Sequence, residues 1–67
     1  MADRRLQVFA TVARLLSFTK AAESLHMTQP AVTFQIRQLE DYFNTRLFDR
    51  THNRISLTSA GHLVKGY

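Results

Sequence analysis

The segment from Thr28 to Phe43 constrains the fold most, because its residue spacing is that of one amphipathic helix. Apolar residues recur there at i, i+4, i+7 and i+11, which places them on one side of a helix with about 3.6 residues per turn. These residues are Val32, Ile36, Leu39 and Phe43. On another side, Gln29, Thr33 and Arg37 recur one turn apart and carry the groups with which helices contact base edges and phosphates. The segment therefore predicts a DNA recognition helix packed on a small core.

The chain's 67 residues are enough for one domain, and a chain of this size buries only ~60% of the surface that its unfolded form exposes. A hydrophobic fraction of 45% supplies the apolar volume for a small core and predicts a folded chain. The absence of Cys excludes disulfides and thiolate metal sites, so helix packing must stabilise the fold. No apolar run approaches the ~18 residues of a membrane span and no secretory signal begins the chain, which predicts a cytoplasmic protein without membrane contact.

Basic residues outnumber acidic ones, with nine Lys and Arg against five Asp and Glu and a formal net charge of +4. A surface of this charge has two interpretations, a solubilising surface or a surface for nucleic acid. Position favours the second, because Arg37, Arg46, Arg50 and Arg54 all lie in or after the predicted recognition helix. We therefore expect a basic face on that side of the domain.

The first helix is predicted from Asp3 to about Leu16, with the acidic residue at its N-terminal end. Its apolar positions at helical spacing are Leu6, Phe9, Ala10, Ala13 and Leu16. A second apolar row, Val8, Val12 and Leu15, makes the apolar surface wider than one buried stripe. This row either packs on a later helix of the chain or forms a surface for a protein partner.

A short second helix is predicted over Lys20–Leu25, with Thr19 as its N-cap. The small side chains of Ala21 and Ala22 allow the backbones of two helices to approach closely. Phe18 and Leu25 are expected to anchor the two ends of this helix in the core.

The connection to the recognition helix is very short. It consists of His26-Met27, after which Thr28 is the expected N-cap and Pro30 lies in the first turn, where its missing N–H is not needed. Two helices joined by so tight a turn form a helix-turn-helix, here at about residues 18–43. In that motif the second helix enters the major groove and its N-terminal residues meet the bases.

The residues after the recognition helix predict a two-stranded wing at about residues 46–57. Asn44 follows the helix, and Asn tolerates the left-handed conformation that ends many helices. One strand is predicted over Arg46–Arg50 and the other over Arg54–Leu57, where Ile55 and Leu57 point inward, with a turn at residues 51–54 between them. The polar, basic tip of such a wing can lie along the DNA backbone or in the minor groove.

Thr58 is the expected N-cap of a last helical segment, Ser59–Lys65. The predicted fold is therefore mainly α, a winged helix-turn-helix with a three-helix core, a two-stranded β wing and the start of a further helix. We expect residues 1–58 to form the DNA-binding domain and residues 59–67 to begin a linker helix.

Spaced motifs along the whole chain resemble those of one known family. They are Ser17-Phe18-Thr19, Ala21-Ala22, Leu25, Thr28-Gln29-Pro30-Ala31-Val32-Thr33, Ile36, Leu39-Glu40, Leu47-Phe48-Asp49-Arg50 and Leu57-Thr58-Ser59-Ala60-Gly61. This order resembles the N-terminal domain of LysR-type transcriptional regulators. The resemblance implies the winged helix-turn-helix of a longer bacterial regulator, whose small-molecule effector binds a C-terminal domain that is absent from this chain. It also implies a homodimer through the linker helix, a tetramer of the full-length protein, and binding to double-stranded promoter DNA.

Two residues depart from the pattern of that family. Asn44 stands where the family usually has Gly, and Asn can occupy the same left-handed position. Phe34 stands where the family often has a basic side chain. Because Phe cannot pair with a phosphate or with guanine, we expect it to contact a thymine methyl group instead.

The predicted DNA-binding residues come from the recognition helix and the wing. They are Thr28, Gln29, Pro30, Thr33, Phe34, Arg37, His52, Asn53 and Arg54. Gln29 is the best candidate for direct base reading, because its amide can pair with two groups of adenine.

Several of these residues have a second interpretation that involves no DNA. Pro30 serves as a helix-start residue, Thr33 can bond its own helix, and Arg37 can pair with Glu40 or Asp41. The wing tip can also be an ordinary surface turn.

Arg50 is assigned a structural role instead of a DNA contact. Arg50 lies where an ion pair with Glu40 would join the wing to the recognition helix, and it is not expected to contact DNA.

The sequence contains no arrangement typical of an enzyme. Its three His residues are too scattered for a metal site, and no nucleophile with a nearby base or Gly-rich phosphate loop is present. We therefore expect neither catalysis nor a cofactor. The predicted function is sequence-specific binding of double-stranded DNA as a dimer on a dyad-symmetric promoter site. The alternative is a winged-helix module that binds protein through the row of Val8, Val12 and Leu15.

Overall fold

A computed structural model describes residues 4–51 and 54–66 of the chain. Its elements in chain order are α1 (Arg4–Leu15), α2 (Phe18–Leu25), α3 (Gln29–Phe43), β1 (Phe48–Thr51), β2 (Arg54–Leu57) and α4 (Ser59–Lys65). The predicted fold, three core helices followed by a two-stranded wing and a further helix, is confirmed. Asp3, the acidic residue expected at the start of the first helix, lies outside the described residues, as do His52 and Asn53 of the wing. No helix in the described part of the chain is long and apolar enough to cross a membrane.

The core lies where the first three helices meet, and the wing packs against its edge. Its buried side chains are Val8, Phe9, Val12, Ala13, Phe18, Ala21, Ala22, Val32, Ile36, Leu39, Leu47 and Phe48. The ring of Phe48 at the start of β1 lies 5.4 Å from that of Phe9 and 5.9 Å from that of Phe18, centroid to centroid. These aromatic contacts join the wing to α1 and α2, so that its position relative to α3 is set by the core.

The apolar row on α1 belongs to the core of this chain. Val8 and Val12 are 0% exposed, and Leu15 is half-buried. Of the two interpretations of that row, packing within the chain is the one observed. The surface on which the protein-binding alternative depended is therefore not available to a partner.

Three residues that were expected in the core are exposed. The buried stripe of α1 is centred between the two predicted rows, which turns Ala10 toward solvent. Leu16 is 46% exposed, because α1 has ended and its φ of 50° turns the chain away from the core. Phe43 is 40% exposed, because the last turn of α3 extends past the edge of the core.

The N-cap of α2 is Ser17, and the prediction of Thr19 was wrong. The Ser17 hydroxyl accepts a hydrogen bond from the backbone N–H of Lys20 at 3.1 Å. Both residues are suitable caps by type. Beginning the helix at Phe18 puts Phe18 and the two buried alanines on one helical face, and this burial favours the earlier cap.

The turn between α2 and α3 has the predicted form. His26 ends α2 in the left-handed conformation, with φ 56°, and the backbone N–H of Met27 reaches back to the carbonyl of Ala22 at 2.9 Å. The Thr28 hydroxyl then accepts from the backbone N–H of Ala31 at 3.2 Å and caps α3. This tight connection fixes the first turn of α3 against α2.

The C-terminal end of α3 and the start of the wing are held together by local hydrogen bonds. Asn44 takes the left-handed conformation predicted for it, with φ 55°. One carboxylate oxygen of Glu40 accepts from the backbone N–H of Leu47 at 2.9 Å and from that of Phe48 at 3.5 Å. Glu40 thus supplies the hydrogen-bond acceptor for the backbone N–H groups at the point where the wing starts.

The wing is an antiparallel pair that runs from Phe48 opposite Leu57 to Thr51 opposite Arg54. Its first strand begins at Phe48, two residues after the predicted start, because the backbone of Leu47 bonds to the Glu40 carboxylate and to the N–H of Thr58 instead of to β2. On β2, Ile55 and Leu57 are half-buried as predicted.

A single threonine connects the wing to α4. The Thr58 hydroxyl donates to the carbonyl of Arg46 at 2.6 Å and accepts from the backbone N–H of Gly61 at 3.0 Å. Thr58 is therefore the predicted N-cap of α4, and it also holds in place the backbone of Arg46, just before β1.

The Glu40 contact predicts a loss of stability on substitution. Because a hydrogen bond to a charged group contributes roughly 1.5–3 kcal/mol, Glu40→Ala should lower the free energy of unfolding by that order. Glu40→Gln should cost less, since its amide oxygen still accepts. Urea denaturation measures both variants, with Asp41→Ala, an exposed neighbour on α3, as the control. Equal stability of the Glu40→Ala and Asp41→Ala variants would contradict the structural role given to Glu40.

Candidate nucleic-acid interface

The outer face of α3 forms a shallow groove on the surface of the domain. It is lined by Gln29, Pro30, Thr33, Phe34 and Arg37, all of which belonged to the predicted site. Spacings of three and four residues place these side chains on one side of the helix, away from the buried Val32, Ile36 and Leu39. The N-terminal half of α3 thus presents amide, hydroxyl, guanidinium and aromatic groups side by side.

The aromatic member of this face is unusually exposed for its size. Phe34 is 59% exposed, although the core of the same domain buries three other Phe residues in its described part. Gln29 and Arg37 beside it are exposed as well, and Thr33 is half-buried. The face therefore combines hydrogen-bonding groups with an apolar surface that no other part of the described chain covers.

The start of α3 is positioned by α2. The Thr19 hydroxyl of α2 faces the side-chain oxygen of Gln29 at 3.4 Å, a longer separation than that of an ordinary O–H···O hydrogen bond. The Thr28 hydroxyl is engaged in capping, as predicted, and the N-terminal end of the helix carries the partial positive charge of its macrodipole. This end of α3 is suited to an anion or to the electronegative edge of a base.

A second groove lies between α3 and the wing. We name it the α3–wing cleft and define it by its polar rim of Thr33, Arg37, Arg46 and Arg50. Phe18, Ile36, Phe48 and the Glu40 carboxylate complete its lining. Basic side chains from the recognition helix and from the wing therefore meet in one depression.

Arg50 does not make the contact that was predicted for it. Its guanidinium carbon lies 4.1 Å from the centroid of the Phe18 ring, in a cation–π arrangement. No ion pair joins Arg50 to Glu40 in the described part of the chain, because the Glu40 carboxylate is turned to the backbone of Leu47 and Phe48. The prediction that Arg50 is a structural ion-pair partner was wrong.

The alternative role of Arg37, an ion pair on its own helix, is also not observed. Within residues 4–51 and 54–66, Arg37 pairs with neither Glu40 nor Asp41. Arg37 lines both the groove on α3 and the α3–wing cleft.

The described part of the wing tip also comes close to the start of α3. Arg54, the first residue of β2, lines a third groove together with Thr19, Gln29 and Arg50. The fold thus brings one of the predicted wing residues to the same surface as Gln29. Predictions for His52 and Asn53 concern residues outside the described part.

Arg46 and Arg50 were expected on the basic face, but the predicted set of DNA contacts included neither of them. A signal for Arg50 is present, because strand residues two apart share a face and Phe48 is buried. This alternation places Arg50 on the side of β1 that faces the core, but it does not decide between the Phe18 ring and the Glu40 carboxylate as the partner of the guanidinium. For Arg46 the same argument fails, because the observed strand begins at Phe48 and not at Arg46 as predicted.

Metal binding finds no support in the described residues. They contain no group of three or more His, Cys, Asp or Glu side chains close enough to hold an ion. The surface contributes exposed cations, hydrogen-bonding groups and one exposed ring, which is the chemistry of recognising a polyanion with an ordered set of polar edges.

Comparison with known sequences identifies relatives of the whole described fold. Residues 4–62 match the family described as bacterial regulatory helix-turn-helix protein, lysR family. A RuBisCO operon transcriptional regulator of Allochromatium vinosum is 52% identical over 64 residues, which are 96% of this chain and 21% of that protein. The chain thus spans about a fifth of the length of the curated relatives that it matches.

Solved structures match the fold equally well. The crystal structure of a LysR-family transcriptional regulator from Eggerthella lenta has a TM-score of 0.92 and 42% identity, covering 97% of this chain and 93% of that one. The complex of the CbnR DNA-binding domain with DNA has a TM-score of 0.89 and 38% identity, covering 97% of this chain and 75% of that one. The chain belongs to the lysR family of bacterial regulatory helix-turn-helix proteins, and its fold is the winged helix-turn-helix DNA-binding domain of that family.

Proposed function

We propose that this domain reads the sequence of double-stranded DNA with the outer face of α3 in the major groove. The observation that carries this proposal is that face itself, where Gln29, Thr33 and Phe34 are displayed together on the side opposite the core. In a helix-turn-helix it is the N-terminal part of the second helix that meets base edges. Gln29 pairs with adenine, and Thr33 bonds a base or a phosphate.

Phe34 adds an apolar element to this reading. Its exposed ring suits the thymine methyl group, which is the apolar feature of the major groove. Pro30 lies in the same groove on α3 and extends the apolar surface. We therefore propose that the preferred site has an A·T pair opposite Gln29 and a thymine within reach of Phe34.

Affinity comes mainly from the DNA backbone. Arg37, Arg54 and the N-terminal end of α3 at Thr28 are the proposed phosphate contacts, and His52 and Asn53 are proposed as further contacts to the backbone or the minor groove. These contacts position the domain and carry little sequence information.

The curated relatives are about five times longer than this chain. We propose that the whole protein is a bacterial transcription regulator in the cytoplasm. Two copies would bind a dyad-symmetric promoter site, joined by the linker helix that begins in α4, and the full-length protein would form a tetramer. An apolar groove lined by Leu6, Phe43, Ala60, Leu63 and Val64, with Leu63 77% exposed, supports α4 as the start of that linker. A small-molecule effector would bind the domain that follows the linker.

Selection from random duplexes, followed by fluorescence anisotropy titration, tests the proposal. Enrichment of one motif, with tighter binding to it than to its scrambled version and a steep salt dependence for both, is the expected result. The absence of any enriched motif, with equal binding to both duplexes, would contradict sequence reading by this domain. If binding to both duplexes were equal and did not change with salt concentration, the result would contradict DNA binding altogether, because contacts to phosphates depend on salt.

Arg54 should contribute to affinity without contributing to sequence preference. Because it is proposed to contact a phosphate, Arg54→Ala should weaken binding to the selected and scrambled duplexes by the same factor and reduce the log–log salt slope by about 0.9. Anisotropy titrations across a salt series measure both quantities. A loss confined to the selected duplex would show that Arg54 reads bases.

A further inference from the structure

We infer that the α3–wing cleft is a phosphate site, in which Arg46 and Arg50 hold the backbone of one DNA strand beside the bases that α3 reads. This inference rests on the proposed function and adds to it two binding residues that were not among the predicted DNA contacts. Three features of the cleft support it: the fixed position of Arg50, the imbalance of charge, and the place where the cleft opens.

Arg50 is held in a defined orientation. It lies on the same side of β1 as the buried Phe48, and its guanidinium carbon lies over the Phe18 ring, 4.1 Å from the ring centroid. A guanidinium donates its hydrogen bonds in its own plane, so stacking on an aromatic ring leaves its N–H edge open to an oxyanion. Because the ring already restricts the side chain, less conformational entropy is lost when a ligand binds.

The charge of the cleft is positive and only partly compensated. Arg37, Arg46 and Arg50 line it, against a single carboxylate, that of Glu40. That carboxylate is bonded to the backbone N–H groups of Leu47 and Phe48 and forms no ion pair with these arginines in the described part of the chain. Three cations brought together without carboxylate partners repel one another, and an anion that bridges them relieves the repulsion.

Arg46 is presented to the cleft by its backbone. Its carbonyl accepts the Thr58 hydroxyl at 2.6 Å, and the next residue, Leu47, is fully buried and bonded to Glu40. The side chain of Arg46 is exposed. The backbone that carries this cation is therefore fixed, while the guanidinium is available to a ligand.

The opening of the cleft identifies the phosphate as one of the DNA backbone. Thr33 and Arg37 line both this cleft and the groove on α3, and Arg50 also lines the groove that contains Gln29. A phosphate held between α3 and the wing is therefore adjacent to the base-reading face. A strand whose bases meet Gln29 and Phe34 would pass its backbone across this position.

The test compares Arg50→Ala and Arg46→Ala with Arg14→Ala as a matched control. Arg14 is an exposed arginine in the last turn of α1 that lines none of the three grooves, so its removal makes the same change of net charge away from the proposed interface. Each cleft variant should bind a selected duplex and its scrambled version roughly tenfold more weakly, as for loss of a charged hydrogen bond, and should lower the salt slope by about 0.9. Arg50→Lys, which keeps the charge without the planar fork, should fall between Arg50→Ala and the unchanged protein.

The outcomes separate this inference from the proposed function. If the unchanged protein selects and binds a motif but both cleft variants behave like Arg14→Ala, the phosphate site is wrong and the proposed function stands. If the unchanged protein shows no salt-dependent binding to DNA, the proposed function itself fails. A loss restricted to the selected duplex would assign these arginines to bases and overturn the inference. Thermal unfolding checks each variant, and Arg46→Ala, which has no stacking partner in the described chain, remains informative if Arg50→Ala fails to fold.

Discussion

Replacing Gln29 with alanine should remove the preference for one base pair of the selected site and weaken binding to that site by about 1–3 kcal/mol. The side chain lies exposed in the first turn of α3, where a helix-turn-helix approaches the bases, and its amide can bond two groups of adenine at once. Alanine leaves those groups without a protein partner, so all four base pairs should become nearly equivalent at that position. Binding to a scrambled duplex should hardly change, because phosphate contacts are retained.

The chain provides a matched control for this experiment. Gln38 is a second exposed glutamine on α3, nine residues further along and therefore about half a turn away around the helix. Gln38→Ala makes the same chemical change outside the proposed interface and should leave both affinity and base preference unaltered. Repeating the duplex selection with each variant measures the effect directly. If Gln29→Ala enriches the same motif with the same strength as the unchanged protein, Gln29 does not read bases.

The helices were predictable from sequence because their signals are local. Periodicity located α3, and side-chain type identified its cap at Thr28 and its left-handed end at Asn44, since each of these depends on a few neighbouring residues. The cap of α2 was placed wrongly for the same reason. Ser17 and Thr19 are equivalent by local chemistry, and only the burial of Phe18 in the assembled core distinguishes them.

In the candidate site, too, residues grouped by local spacing were predictable, whereas a partner set by tertiary geometry was not. Gln29, Thr33 and Arg37 could be grouped from sequence, because one helix carries them at single-turn spacing. Arg50 could not be assigned in this way, since both Glu40 and the Phe18 ring are suitable partners for a guanidinium. The Glu40 carboxylate accepts hydrogen bonds from the backbone N–H groups of Leu47 and Phe48, and the Arg50 guanidinium lies over the Phe18 ring instead. Such a choice among partners depends on tertiary geometry and leaves no pattern in the sequence.

Gly61→Ala should destabilise the domain, although in most helices the same substitution is favourable. Alanine is preferred to glycine within a helix by about 1 kcal/mol. Gly61, however, is buried in α4 against the wing, where an added Cβ would collide with the carbonyl oxygen of Leu47 and would lie 2.8 Å from Cδ2 of Leu57. The Leu47 carbonyl is not free to move, because it accepts the backbone N–H of Thr58 at 3.1 Å.

Overpacking of this kind costs roughly 1–3 kcal/mol, so the steric cost should outweigh the gain in helix propensity. Each 1 kcal/mol lost should lower the Tm of a domain of this size by about 4–8 °C, which thermal unfolding followed by circular dichroism resolves. His62→Ala, at the exposed neighbouring position on α4, is the control and should leave Tm unchanged or slightly raised. An equal or higher Tm for Gly61→Ala would mean that α4 can withdraw from the wing without cost. The contacts of Thr58 and Gly61 with the backbone of Arg46 and Leu47 would then contribute little to holding Arg46 beside α3.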